Sequence, residues 1–175
     1  MLRVSTDQLS AGHLVELRAL FDEAWSEDGF DEHDWAHALG GTHFVIEAGG
    51  SVRSHVSVVE RELVADGRPL RTGYVEAVAT RAADRRRGHA TRLMQEATAF
   101  IDERYQLGAL GTNLFDFYTR LGWEAWRGPT SVRTVDGLVP TSHEDGFVMV
   151  RRTPSTPELD LGGPISCDWR PGDVW

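Results

Sequence analysis

The chain has 175 residues, 41% of them hydrophobic and 26% charged, which suits one soluble domain, or one domain with a short tail, able to bury about two-thirds of its unfolded surface. Its 18 basic residues are all Arg and face 27 acidic ones, a formal charge of -9; the lack of Lys excludes lysine Schiff-base, P-loop and kinase-type chemistry, and the negative field disfavours nucleic acid and anionic membranes. A lone Cys167 excludes an internal disulfide or a cysteine-rich zinc site, and without a membrane-length apolar run or a signal-peptide core near Asp7 and Glu16 a cytoplasmic protein is expected.

Ser10 stands as N-cap of a first helix in which Leu14, Leu17, Leu20, Phe21 and Ala24 recur at helical spacing. A short second helix is expected from an Asp31 N-cap to Leu39, stopped by Gly40-Gly41. The period then becomes that of strands. Residues 43–47, 52–64 and 70–80, joined by turns at Gly49-Gly50 and Asp66-Gly67, predict an antiparallel meander. Residues 81–87 read as a loop, followed by a long helix with Ala90, Leu93, Met94, Ala97 and Ile101 as its apolar stripe. A short buried strand over 107–110 and a helix over 114–121, closed by Gly122, come next. Further strands are expected at 123–127, around 131–135 and at 147–151, with Asp136-Gly137 as a turn. From Thr153 the density of Pro and Gly predicts a tail without regular structure, and its Cys167, Trp169 and Trp175 predict that it packs back onto the body. The expected organisation is a domain over residues 1–152 and a tail over 153–175 that packs back onto it.

Arg85-Arg86-Arg87-Gly88-His89-Ala90, between a strand and a long helix, has the makings of a pyrophosphate grip. Gly88 and Ala90 put little side chain between backbone and ligand. The first-turn N–H groups have no helical partners, and the positive end of the helix dipole adds to them. A merely solvated loop leaves unexplained why the one dense basic cluster stands at the helix end whose dipole it opposes.

Gly73-Tyr74-Val75-Glu76-Ala77-Val78-Ala79-Thr80 and the arginine run after it resemble motif A of the GCN5-related N-acetyltransferases. Phe117-Tyr118-Thr119-Arg120-Leu121-Gly122-Trp123-Glu124 resembles a later segment of the same superfamily. The likeness is closer still to the aminoglycoside 2′-N-acetyltransferases, through Asp34-Trp35-Ala36-His37-Ala38-Leu39-Gly40-Gly41, Tyr105-Gln106-Leu107-Gly108-Ala109-Leu110 and Cys167-Asp168-Trp169-Arg170-Pro171-Gly172-Asp173-Val174-Trp175. It spans nearly the whole chain. It implies an α+β fold, a mixed sheet with splayed central strands and flanking helices. It also implies direct transfer of acetyl from acetyl-CoA to the 2′-amine of aminoglycoside antibiotics, which confers resistance by modification.

By the same resemblance, the strand over 74–80 meets the pantetheine arm, with the Val78 N–H at the thioester carbonyl and Thr80 further along. Arg85, Arg86, Arg87, Gly88, His89, Ala90 and Thr91 hold the pyrophosphate. Glu76 is the implied base, acting directly or through water; Glu is depleted in central strands, and the alternative is a structural carboxylate paired with an Arg. Tyr118 is the implied acid, because a phenol of pKa about 10 outlasts a thiol of about 8.5; the alternative is a core aromatic beside Leu114 and Leu121. A polycationic acceptor calls for scattered carboxylates. The family places them where this chain has Asp34, Glu76, Asp173 and the terminal carboxylate of Trp175, with Glu144, Asp145 and Asp28 as further candidates. Gly111-Thr112-Asn113 departs from the family, which carries serines there, and bears on substrate range.

His33 and His37 stand at i and i+4 without a third ligand at a telling spacing, so no metal is expected. A small-molecule acceptor is expected, with no nucleic acid or membrane partner, and the homodimer common in the resembled family is carried over. Two other functions compete: acetylation of another small-molecule or peptide amine, and sequestration of aminoglycosides or sensing of acyl-CoA without turnover.

Overall fold

Ser10 and Asp31 begin helices because their side-chain oxygens accept N–H groups that a first helical turn leaves over. In the computed structural model, which describes residues 1–27 and 29–175, Ser10 Oγ accepts from the His13 N–H at 3.2 Å and opens α1 (Ala11–Ala24). Asp31 Oδ1 accepts from the His33 and Asp34 N–H groups at 2.7 and 3.0 Å and opens α2 (Glu32–Ala38). Asp28, a candidate acceptor ligand, lies outside the described residues.

The expected meander is present as β2 (Thr42–Ala48), β3 (Ser51–Ala65) and β4 (Arg68–Thr80), preceded by β1 (Leu2–Ser5). After it come α3 (His89–Arg104), β5 (Leu107–Gly111), α4 (Phe115–Thr119), β6 (Glu124–Ala125), β7 (Thr130–Thr134), β8 (Gly137–Pro140), β9 (Val148–Arg152) and β10 (Ile165–Asp168). The described strands follow the order β6-β9-β5-β4-β3-β10-β7-β8, with β2 also on β3 and β1 on β2. Pairing is parallel at β4–β5 and β7–β10 and antiparallel at β1–β2, β2–β3 and β5–β9, so the sheet is mixed.

The chain forms two compact units, Met1–Val59 with Val75–Ala97 and Glu60–Tyr74 with Thr98–Trp175. In the first, Leu17, Leu20 and Phe21 of α1 share a core with Ala38, Val45, Val52 and Ala79. Phe21 stands edge-on to Trp25, Trp35 and His55 at 5.8, 5.8 and 5.0 Å, the arrangement that aromatic quadrupoles favour.

His43 and His55 are fully buried in this unit, 2.9 Å apart from Nδ1 to Nε2. Loss of hydration lowers His43 to about 4 and His55, with help from its neighbour His43, to about 3. Both are therefore neutral in the fold, whereas the unfolded chain protonates them below about 6.5. The unfolded state takes up more protons as pH falls, so their contribution is complete above pH 6.5 and lost on acidification towards pH 4. Urea unfolding is expected to show a stability lower by about 2 kcal/mol at pH 5.5 than at pH 7 through these two groups; equal midpoints would contradict their burial as neutral rings.

In the second unit β4 and β5 pair over Thr72–Tyr74 and Leu107–Ala109, which sets Gly73 opposite Gly108. A Cβ on Gly73 would lie 2.8 Å from Ile101, and one on Gly108 would lie 3.1 Å from the same side chain. The two glycines thus let Ile101 of α3 rest on bare backbone.

The tail expected to lack regular structure contains β10. Its Ile165 and Ser166 pair antiparallel with Ala65 and Val64 of β3, and Ile165–Asp168 runs parallel to β7. The Pro- and Gly-rich stretch before it is the return loop, held by the Trp126 indole N–H on the Gly163 carbonyl at 2.9 Å and by the Arg127 N–H on the Leu161 carbonyl at 2.8 Å.

Candidate active site

Glu76, Val78 and Thr80 lie half-buried in the part of β4 that belongs to the first unit. Ala77 between the first two has φ of 49°, a left-handed conformation that costs a side-chain-bearing residue about 1–2 kcal/mol. Side chains of β3 take up the carbonyls around it. Ser57 Oγ donates to Glu76 at 3.3 Å and Ser54 Oγ to Ala79 at 2.9 Å, with the Thr80 hydroxyl 2.8 Å from Ser54 Oγ.

The loop after β4 is pinned by charge. Arg81 reaches Glu23 at 2.9 Å and the Ala19 carbonyl at 3.1 Å. Asp84 is buried and pairs with Arg53 at 3.5 Å and Arg87 at 3.1 Å, so Arg87 braces the loop as well as charging it. Arg85, Arg86 and Arg87 are exposed. Arg86 and Gly88 have φ of 63° and 80°, and a Cβ at Gly88 would meet open space. Such left-handed residues curl a backbone so that successive N–H groups face one side. The Arg92 N–H bonds the Gly88 carbonyl at 3.0 Å, leaving those of His89, Ala90 and Thr91 as first-turn donors of α3. These residues fit an anionic pyrophosphate.

Asp34, on α2, accepts from the Asp31 N–H at 3.0 Å and so completes the helix cap. That bond gives its carboxylate a structural partner.

The second unit holds Tyr118, Asp145, Asp173 and Trp175. Tyr118 of α4 is buried, edge-on to Phe117 at 4.9 Å and Trp123 at 6.3 Å, and burial pushes its phenol up to about 12. The other three come together. The buried Trp175 indole donates to Thr141 Oγ1 at 2.9 Å, Thr141 to Thr130 Oγ1 at 2.8 Å, and Thr130 to Asp145 Oδ1 at 2.9 Å. Asp173 Oδ1 accepts the Trp175 N–H at 3.2 Å. Burial, then the negative charge of Asp173, raise the Glu144 carboxyl, which marks this corner as one that favours a cation. Cys167 is buried, its thiol pushed up to about 11 mainly by burial while donating to the Val174 carbonyl at 3.3 Å; it stays protonated at neutral pH and is no nucleophile.

The model of the acetyltransferase (GNAT) domain matches residues 6–126. This chain belongs to the GNAT acetyltransferase family. It is 42% identical to an aminoglycoside 2′-N-acetyltransferase of Mycolicibacterium fortuitum, over 98% of this chain and 90% of that protein. Among solved structures, a GNAT acetyltransferase of Brucella melitensis in complex with acetyl-CoA superposes with a TM-score of 0.59 at 16% identity, covering 91% of this chain and 92% of that one. A GNAT N-acetyltransferase of Escherichia coli in complex with CoA gives 0.61 at 16% identity, with 95% and 88% covered. The mixed sheet with flanking helices is the GNAT fold.

In the second unit, sequence reasoning missed residues that hold others in place. Arg61 lies inward between Val59 and Leu63 on β3, a charge on the apolar face of a period-2 pattern, and that signal was legible. Its guanidinium and that of Arg170 lie 4.8 and 5.6 Å from the Tyr74 ring. Gly111, the first residue of the departing segment, has the Trp175 backbone 3.8 Å and Tyr74 Oη 3.7 Å from where its Cβ would be, so a serine there would make ordinary contacts.

Proposed function

We propose that this GNAT acetyltransferase transfers acetyl from acetyl-CoA to the 2′-amine of aminoglycosides. The 42% identity with the M. fortuitum aminoglycoside 2′-N-acetyltransferase across 98% of the chain carries this conclusion. The arginines at 85–87 and the N–H groups at 88–91 hold the pyrophosphate, and the Val78 N–H and Thr80 hold the pantetheine arm. Acetyl-CoA, when bound, supplies the activated thioester. Glu76 receives the proton of the attacking amine, directly or through water. Tyr118 Oη presents a proton to the departing sulfur; at a pKa of about 12 that proton is in place at any working pH. Asp34, Glu76, Asp145, Asp173 and Trp175 bind the polycationic acceptor, and Glu144 beside Asp173 adds to them.

The function is tested by thiol release with two aminoglycosides that differ only in an amine or a hydroxyl at the 2′ carbon. Turnover of the amine alone is expected. Equal turnover of both would overturn the regiochemistry, and binding without thiol release would make the protein a sequestering one.

Among the described residues no helix is long and apolar enough to cross a membrane. The proposal includes a cytoplasmic enzyme that works as a homodimer. Supporting the dimer, the edge strand β8 exposes Leu138 and Val139 at 66% and 47%. Light scattering should give twice the chain mass, and a monomer would overturn that part.

A further inference from the structure

Packing alone does not account for the polar residues buried in the middle of β3. Ser54, His55 and Ser57 are each 0% exposed, and each reaches a carbonyl of β4. His55 takes the central one, with Nδ1 2.8 Å from the carbonyl of Ala77, the residue whose φ is left-handed. A carbonyl only accepts, so Nδ1 carries the hydrogen and Nε2 of the neutral ring is an acceptor. That nitrogen faces His43 Nδ1 at 2.9 Å, and His43 Nε2 in turn faces Thr6 Oγ1 at 2.8 Å. The Thr6 oxygen receives the Gly40 and Gly41 N–H groups at 2.8 and 3.2 Å. The hydrogens therefore all run one way, from Gly40 and Gly41 through Thr6, His43 and His55 to the Ala77 carbonyl.

That carbonyl and the Val78 N–H belong to one planar peptide, and none of the described peptide bonds is cis. They point in opposite directions, so whatever holds the oxygen also sets the direction of the hydrogen. We propose that His55, backed by His43 and Thr6, is a positioning residue that aims the Val78 N–H at the acyl carbonyl of the donor. This rests on the role given above to Val78. A donor to an oxygen that gains charge in the transition state accelerates the reaction only if its direction is fixed beforehand. The left-handed Ala77 would relax towards ordinary strand geometry if its carbonyl were let go, and the N–H would turn with it.

Three measurements on the full chain test this. Nitrogen-15 NMR of the wild-type imidazoles at pH 7 should show His55 with hydrogen on Nδ1 and a bare Nε2; the opposite tautomer overturns the proposal. His55→Asn keeps a donor near the Nδ1 position and His55→Leu does not. Leu is expected to lower kcat about tenfold or more with the acceptor KM within about twofold, and Asn to recover kcat to within about threefold of wild type. A folded His55→Leu protein with wild-type kcat would show that the chain of rings only fills the core. Should the Leu variant not fold, Thr6→Val removes the far end of the chain and is expected to lower kcat by about threefold, no change counting against the proposal. Separately, the Val78 amide signal of the wild type should move on adding acetyl-CoA. If it stays still, the role of Val78 fails, whatever the tautomer of His55.

Discussion

Tyr118→Phe is expected to lower kcat about 100-fold while the acceptor KM stays within about twofold. The substitution removes one oxygen from a ring that is 5% exposed, and the edge contacts with Phe117 and Trp123 need only the ring. Packing is thus preserved, and the loss reads the hydroxyl alone. Burial raises this phenol to about 12, which keeps it protonated at any working pH but makes it a weaker acid than an exposed tyrosine. Burial also penalises a bare thiolate, for the same reason. A departing sulfur in such surroundings needs a donor that has not already ionised, and Tyr118 is one. Its ionisation therefore contributes no alkaline limb to the rate profile below about pH 10. Steady-state kinetics at pH 7 and 9 check both points. A variant that keeps more than about a third of wild-type kcat would make Tyr118 a core aromatic and no more.

Tyr118 could be named as a candidate because it sits in a segment with a recognisable order of residues, and so could the loop at 85–91, whose arginines stand where electrostatics alone would not put them. The helix caps at Ser10 and Asp31 and the meander over β2, β3 and β4 were legible for local reasons, since a side-chain acceptor, a glycine turn and an alternating strand each act over a few residues. What escaped was set by distant partners. β10 has four residues, and its pairing partners Val64 and Ala65 lie some hundred positions earlier; the Pro- and Gly-rich loop that returns it to the sheet reads locally as disorder. β8 ends in Pro140 and is exposed along its whole length, as an edge strand can be. The left-handed turn at Ala77 carries no glycine to announce it. The resemblance points to Asp34 and charge to Asp145, and the structure gives each a backbone partner, the Asp31 N–H at 3.0 Å and the Thr130 N–H at 2.8 Å.

Arg61, whose charge on the apolar face of β3 is a local signal, has the second large effect. Its side chain is 4% exposed, yet it donates to Asp168 Oδ1 at 3.0 Å, the Asp168 carbonyl at 2.8 Å and the Val174 carbonyl at 2.8 Å. Arg61→Met keeps most of the bulk and removes every donor. The Asp168 carboxylate, 46% exposed, can turn to water, but the two carbonyls lose partners inside the fold at about 1–3 kcal/mol each. The expected loss is about 3 kcal/mol, seen as a fall in Tm of about 10 °C. The kinetic consequence follows from what those bonds hold. Val174 precedes Trp175, whose indole ties the C-terminal segment to Thr141 and through Thr130 to Asp145. Freed at Val174, the segment presents Asp173 less often in the geometry proposed for acceptor binding, so the acceptor KM should rise about tenfold. The acetyl-CoA KM should not follow, because the residues proposed for that ligand lie on β4 and the arginine loop. Trp175→Ala cuts the same tether at its other end and is expected to raise the acceptor KM with a smaller loss of Tm. If Arg61→Met leaves both Tm and the acceptor KM unchanged, the tether is not what orders the acceptor site. Arg61→Lys should rescue little, since a single ammonium cannot span three acceptors that a planar guanidinium reaches at once.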